Sequence, residues 1–370
     1  MKVINYKIHN QRLNQILIYI GIIMLGINSL FSVSQIFKAY NSKYVMYVGI
    51  IVTFIGIIWS LKLSIRNMTL YLMLIILGII INIKSESIIP LIFFLILIAA
   101  KQIQYRKVML LLAELNIFYV IVHILLSIIF RIDDNRFLFT HNNIISYITM
   151  WAVIVLVLIS NQAKYLKGVI IFITIIFLFF FTQSRTSAIT IILFVILMNS
   201  KHLINIVKGR WNKWIIPLLP LILGIVSILL IKYCYVSKWA SDIDSLFAGR
   251  FSLGNYFLNN YELCLLGQKV YTGLCTIWDS RYAFGRAYID NLYLGFIIQY
   301  GIIFGSIWCI LIFIKIKKSI YKREKVDLIV CILLCIYSLT ETTAINILLC
   351  PASLILSDIL DMKEGFNKND

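Results

Sequence analysis

The chain has 370 residues, of which 61% are hydrophobic and 14% charged, and its mean hydropathy is +0.93. A water-soluble domain carries about a quarter charged residues and a disordered chain has the reverse composition, so both are excluded and a polytopic membrane protein is left. The net charge of +18 arises from 34 Lys and Arg against 16 Asp and Glu, but these basic residues sit in short clusters between apolar runs, a pattern that encodes orientation in a bilayer and excludes a nucleic-acid groove.

A hydrocarbon core of ~30 Å takes ~20 mainly apolar residues per helix, and that ruler finds about twelve candidate spans in an all-α chain read as one integral domain over 1–370. In order they are 14–34, 44–61, 68–83, 87–100, 108–130, 143–160, 165–182, 186–199, 214–231, 289–314, 326–340 and 344–360. The first run has no small-residue cleavage site after it and reads as a retained helix. Most Lys and Arg fall in alternate loops, from Lys2, Lys7 and Arg12 through the run Lys315 to Lys325 to Lys363 and Lys368, which places both termini in the cytoplasm. Glu114 and His123 are polar groups inside an apolar run and are expected to pair with another helix.

Cys309, Cys331, Cys335 and Cys350 lie inside apolar runs and read as small core residues. Cys264 and Cys275 lie in a polar loop where a bridge is conceivable, and no cysteine spacing resembles a metal site.

One connection is long. The segment 232–288 is expected outside, carries many aromatics, and includes Arg250, Arg281 and Arg286 as candidate substrate contacts. Leu246, Arg250, Leu253, Phe257 and Cys264 recur at helical spacing, which predicts an amphipathic helix on or tucked into the outer membrane surface.

Four polar constellations stand out. Thr182 to Ser187 contains Ser184 and Arg185 between two apolar runs; it reads as an outer turn with a snorkelling Arg, or as a site where Arg185 meets a phosphate. Gly249-Arg250 opens the amphipathic stretch that ends in Leu266-Gly267; Arg250 faces headgroups or grips a diphosphate bidentately. Asp290-Asn291-Leu292-Tyr293-Leu294 begins the tenth span, with Asp290 either a helix cap or a base of raised pKa. His141, the one histidine expected outside, and Glu341 in the last outer turn complete the set, each a turn residue or a catalytic group. All map to one leaflet, a pattern suited to a lipid-linked sugar phosphate, and no outer carboxylate cluster calls for a metal or cofactor.

The order Ser-Arg-Thr-Ser, then Gly-Arg with a stretch ending in Leu-Gly, then Asp-Asn-Leu-Tyr-Leu followed by Tyr300-Gly301 and Gly305, resembles the Wzy-type polymerases of the O-antigen polymerase and ligase family. The motif-bearing match covers 181–305, with a weaker likeness at the His141 turn. The resemblance implies a GT-C-like membrane fold in a bacterial cytoplasmic membrane and metal-independent joining of undecaprenyl-diphosphate-linked repeat units. It further implies that Arg185 and Arg250 hold the donor diphosphate with Ser184 and Asn291 nearby. Asp290 falls where many relatives have a histidine proposed as base. A flippase and a chain-length regulator are the implied pathway partners. A ligase of the same family and a lipid-linked oligosaccharide flippase are the alternative functions.

Overall fold

The computed structural model describes residues 2–60, 65–131, 136–160, 163–207, 209, 211–247, 249–274 and 286–360, without the side chains of 2–12, 65–66, 142, 206, 273–274 and 286–287. In hydrocarbon every backbone polar group must be satisfied within the protein, so the apolar runs become helices. In chain order these are α1 Lys2–Ser32, α2 Lys43–Ser60, α3 Ile65–Ser85, α4 Ile89–Ile103, α5 Tyr105–Ile129, α6 Asn142–Ile159, α7 Lys164–Ile176, α8 Arg185–Asn199, α9 Leu203–Val207, α10 Asn212–Ile215, α11 Leu219–Tyr233, α12 Lys238–Leu246, α13 Arg250–Asn260, α14 Leu292–Ile298, α15 Ile302–Lys322 and α16 Lys325–Tyr337. A small antiparallel ladder joins β1 Gly273–Leu274 to β2 Arg286–Ala287.

The chain is an all-α, multi-span membrane protein. Among the described residues, 6 helices are long and apolar enough to cross a bilayer: Leu13–Ser32, Lys43–Ser60, Asn67–Ser85, Tyr105–Ile129, Lys164–Phe181 and Asn212–Tyr233. Ile89–Ile103, Asn143–Ile159 and Arg185–Asn199 are apolar but shorter. The expected last span, 344–360, is corrected. It forms a 3-10 turn, Thr343–Ile345, and a 3-10 stretch, Pro351–Ile359, whose residues 351–357 are buried by protein. The run is apolar because it is core, and composition cannot separate core from lipid contact. The expected span 289–314 is likewise two helices, broken at Gln299–Gly301.

Two compact units divide the described residues, the first drawn from Met1–Ile75, Ile92–Ile196 and Asn346–Asp370, the second from Ile76–Leu91 and Leu197–Ile345. In the first, α1 packs along α2, where Asn14 Nδ2 donates to the Trp59 carbonyl at 2.7 Å, and α5 packs along α6. Asn116 of α5 donates to the Leu348 carbonyl at 3.2 Å, tying α5 to the turn that precedes the buried 3-10 stretch. His123 is buried, but its partners are not on another helix: one ring nitrogen lies 2.8 Å from Oγ of Ser34, just past the end of α1, and the other 3.0 Å from the Tyr119 carbonyl of its own helix. Glu114 is exposed.

The second unit centres on Ile231, Phe251, Phe257, Leu294 and Ile298, contributed by α11, α13 and α14. The break between α14 and α15 frees backbone groups that the segment 264–268 takes up. Cys264 N donates to Ile297 O at 3.0 Å, Gln268 N to Gln299 O at 3.1 Å and Ile302 N to Cys264 O at 2.9 Å. The Cys264 thiol donates to the Ile298 carbonyl at 2.9 Å, and its suggested partner Cys275 lies outside the described residues. Two members of the basic run make contacts within the protein. Lys315 is wholly buried, 2.5 Å from Asp327, and Lys325 donates to the Met198 and Ser200 carbonyls at 2.6 and 2.8 Å.

Candidate functional site: a buried arginine beside two carboxylates

The amphipathic stretch is two helices, because Gly249 interrupts it with φ 75. That left-handed turn, which glycine adopts without a Cβ penalty, brings α13 back over the end of α12. Asp244 Oδ1 then accepts from Phe251 N at 2.7 Å and Ser252 N at 3.3 Å, satisfying two donors of the α13 first turn. Leu246 is left exposed on α12, Cys264 lies beyond α13, and α13 itself is buried along Arg250, Phe251, Gly254 and Phe257. The expectation of a single surface helix is therefore corrected: α13 packs against α11 and α14, pinned by Asn255 Nδ2 donating to the Ile231 carbonyl at 2.8 Å. Asp244→Ala is expected to cost about 0.5 to 2 kcal/mol, the usual loss for a helix cap, read as a lower melting temperature in detergent.

This turn delivers Arg250 to the interior as the first residue of α13. Its Nη1 lies 2.7 Å from Glu341 Oε1 and also donates to the Thr340 carbonyl. Glu341 sits in the turn that ends α16, where Thr340 N and Glu341 N both bond to the Tyr337 carbonyl at 3.1 Å. Its side chain is 10% exposed and that of Arg250 9%, so the pair is almost entirely withdrawn from solvent. Asp290 is half-buried and close enough for its charge to act on both.

The helix cap at the start of α14 is Asn291, not Asp290. Asn291 Oδ1 accepts from Leu294 N at 2.9 Å, while its Nδ2 donates to Ser227 Oγ and the Leu339 carbonyl, each at 2.6 Å. Asn291 is thus consumed in joining α11, α14 and the end of α16.

Electrostatics follow from this geometry. Burial pushes the Glu341 carboxyl up; Arg250 pulls it down, Asp290 adds to the rise, and the outcome is about 7. Burial also opposes the charge of Arg250, but Glu341 and Asp290 outweigh it and keep the guanidinium protonated. With both acids ionised the trio carries one excess negative charge; with Glu341 protonated it is neutral. The arrangement suits a proton acceptor poised near neutral pH, locked to a cation that is released when the proton arrives.

Arg250, Asp290, Asn291 and Glu341 are thus gathered in the second unit. Arg185, Ser184 and His141 belong to the first unit, while Arg286 belongs to the second through its backbone alone. Arg185 is exposed at the first residue of α8, after a π turn at Phe177–Phe181 and a positive φ of 55° at Gln183. Ser184 is buried, its Oγ 3.2 Å from that of Ser187. His141 is exposed at the start of α6, and its turn is held by Gln35 N bonding to Leu138 O at 2.7 Å and Thr140 N to Val33 O at 3.0 Å. The backbone of Arg286 lies in β2 opposite Leu274, and Arg281 lies outside the described residues.

Sequence reasoning passed over Asp244, Ser227 and Thr340. Asp244 reaches the α13 first turn from the preceding helix, Ser227 sits in an apolar run and Thr340 acts through its carbonyl, so none of them leaves a recognisable pattern in the sequence. Comparison with protein-family models, with curated proteins and with solved structures finds no match.

Proposed function

We propose that the protein is a polysaccharide polymerase that joins undecaprenyl-diphosphate-linked repeat units on the outer face of a bacterial cytoplasmic membrane. The observation that supports this reading is the buried pair of Arg250 and Glu341 with Asp290 beside it, assembled from the ends of α13, α14 and α16 rather than from the middle of spanning helices.

In this reading a hydroxyl of the acceptor sugar attacks the anomeric carbon of the donor. The new carbon–oxygen bond forms as the bond from that carbon to the diphosphate breaks, and the hydroxyl proton passes to Glu341. A carboxylate with a pKa near 7 is a competent general base at neutral pH, as an ordinary carboxylate is not. Proton transfer also changes what Arg250 faces. While Glu341 is ionised it holds the guanidinium at 2.7 Å; once neutral it leaves that charge to the departing diphosphate, which gains negative charge in the transition state. Base and anion stabiliser are coupled through one contact. Asp290 keeps the Glu341 proton affinity high and orients the acceptor hydroxyl. The resemblance assigns a further phosphate contact to Arg185.

The test is a deletion strain complemented with variants. Without the protein, single lipid-linked repeats accumulate on the outer leaflet; accumulation inside would point to a flippase instead. Wild type restores long polymer, and Arg185→Ala is expected to restore expression but not polymer. Wild-type chain lengths with Arg185→Ala would show that elongation does not need that arginine.

A further inference from the structure

The first unit holds a buried histidine, His123 of α5, in a hydrogen-bond chain of its own. The segment 33–36, just past α1, runs antiparallel to the turn 138–140. Gln35 N donates to the Leu138 carbonyl at 2.7 Å, Thr140 N to the Val33 carbonyl at 3.0 Å, and the Gln35 side-chain amide to the Phe139 carbonyl at 2.9 Å. Ser34, wholly buried, ties this strap to α5. Its hydroxyl oxygen accepts from Ile36 N at 3.2 Å and Phe37 N at 3.0 Å and lies 2.8 Å from His123 Nε2. A hydroxyl has one proton and two acceptor sites. The two amides fill both acceptor sites, so the proton points to His123, and Nε2 is the ring nitrogen without hydrogen. Nδ1 then carries the ring hydrogen and donates it to the Tyr119 carbonyl at 3.0 Å. The chain of donors and acceptors closes only with a neutral imidazole.

A second proton would break it. An imidazolium donates from both nitrogens, so Nε2–H would face an oxygen whose acceptor sites are taken, and one of the three hydrogen bonds at Ser34 is lost. The surroundings nevertheless accept the charge. The ring centroids of Tyr119, Phe139 and Phe37 lie 4.2, 4.5 and 5.6 Å from that of the imidazole, within the range at which aromatic faces attract a cation. Tyr119, whose phenol also stands near Ser34, is the titratable group in contact with the ring. On the strap side Lys38 and Tyr40 are exposed, as are Arg136 and His141 beside the turn. Tyr19, Tyr147 and Asp358 belong to elements packed along α5, and among the described residues no charged group acts on the imidazole. We propose that His123 is a proton-binding latch. Neutral, it holds Ser34 and the strap on α5; protonated, it releases them, together with the 138–140 turn that leads into His141 and α6.

The test is hydrogen exchange of the full-length protein in vesicles, read by mass spectrometry over about pH 5 to 8, where histidine titrates, and corrected for the intrinsic rate at each pH. Peptides covering 33–40 and 137–141 are expected to lose protection about tenfold towards the acid end, the usual consequence of one buried donor left unpaired, while α2 stays protected. His123→Gln keeps an acceptor for the Ser34 hydroxyl but binds no proton, so its strap should stay protected throughout. Ser34→Ala should open the strap at every pH. His141→Gln, which removes the exposed histidine of the same region, should leave the wild-type response intact. Flat protection in wild type, a response that survives in His123→Gln, or one that disappears in His141→Gln would overturn the assignment. If His123→Gln does not fold, the wild-type and His141→Gln curves decide the matter.

Discussion

Glu341→Gln is expected to lower chain elongation by about 10² to 10⁴-fold, the contribution of a positioned general base, with the amount of protein in the membrane unchanged. The amide keeps the shape of the carboxylate and can still accept from Arg250, so the buried contact survives in part while the proton acceptor is lost. Glu341→Asp retains the chemistry but shortens the reach to a guanidinium now 2.7 Å away, and should fall between the two. Polymer ladders from complemented deletion strains, normalised to protein level, read the effect. Wild-type ladders from Glu341→Gln would take the base assignment away from this residue.

Arg250→Ala is expected to remove both polymer and stability, and the two losses can be separated. Truncating one partner of a buried ion pair leaves the other charge uncompensated and typically costs about 3 to 5 kcal/mol. The double variant Arg250→Met with Glu341→Gln removes the stranded charge, so its melting temperature in detergent should recover most of the loss while elongation stays absent. Arg250→Lys keeps the charge but loses the second guanidinium nitrogen needed for a bidentate grip on a diphosphate, and should be impaired as well. Recovery of polymer in the double variant would show that Arg250 matters only for folding and that Glu341 is not the base.

The residues that form this centre were individually legible in the sequence, but their partnership was not. Arg250 and Glu341 are 91 positions apart, and nothing in either neighbourhood announces the other. Asp290 and Asn291 are adjacent and both favoured as caps, so only geometry could show that Asn291 caps α14 and Asp290 does not. The periodicity from Leu246 to Phe257 was real, yet Gly249 divides it into one exposed helix and one buried helix. Hydropathy located the long spans, because their apolar faces meet lipid over a full bilayer thickness. It overcounted where short apolar segments such as Pro351–Ile359 are surrounded by protein, since burial in a core selects the same residues as burial in lipid.

The most direct measurement is the pH dependence of elongation by the purified protein in vesicles supplied with lipid-linked repeat units, for wild type and Glu341→Gln. Because burial raises the carboxyl above its ordinary 4.5, the folded protein favours the protonated form; that stabilisation is complete below 4.5 and is lost as pH climbs through about 7. Ionisation over the same window creates the base, so the rate should rise while the melting temperature falls. The account predicts a wild-type rate that climbs through an inflection near 7 and a residual rate in Glu341→Gln that does not. A variant that elongates at the wild-type rate with the same inflection would contradict it.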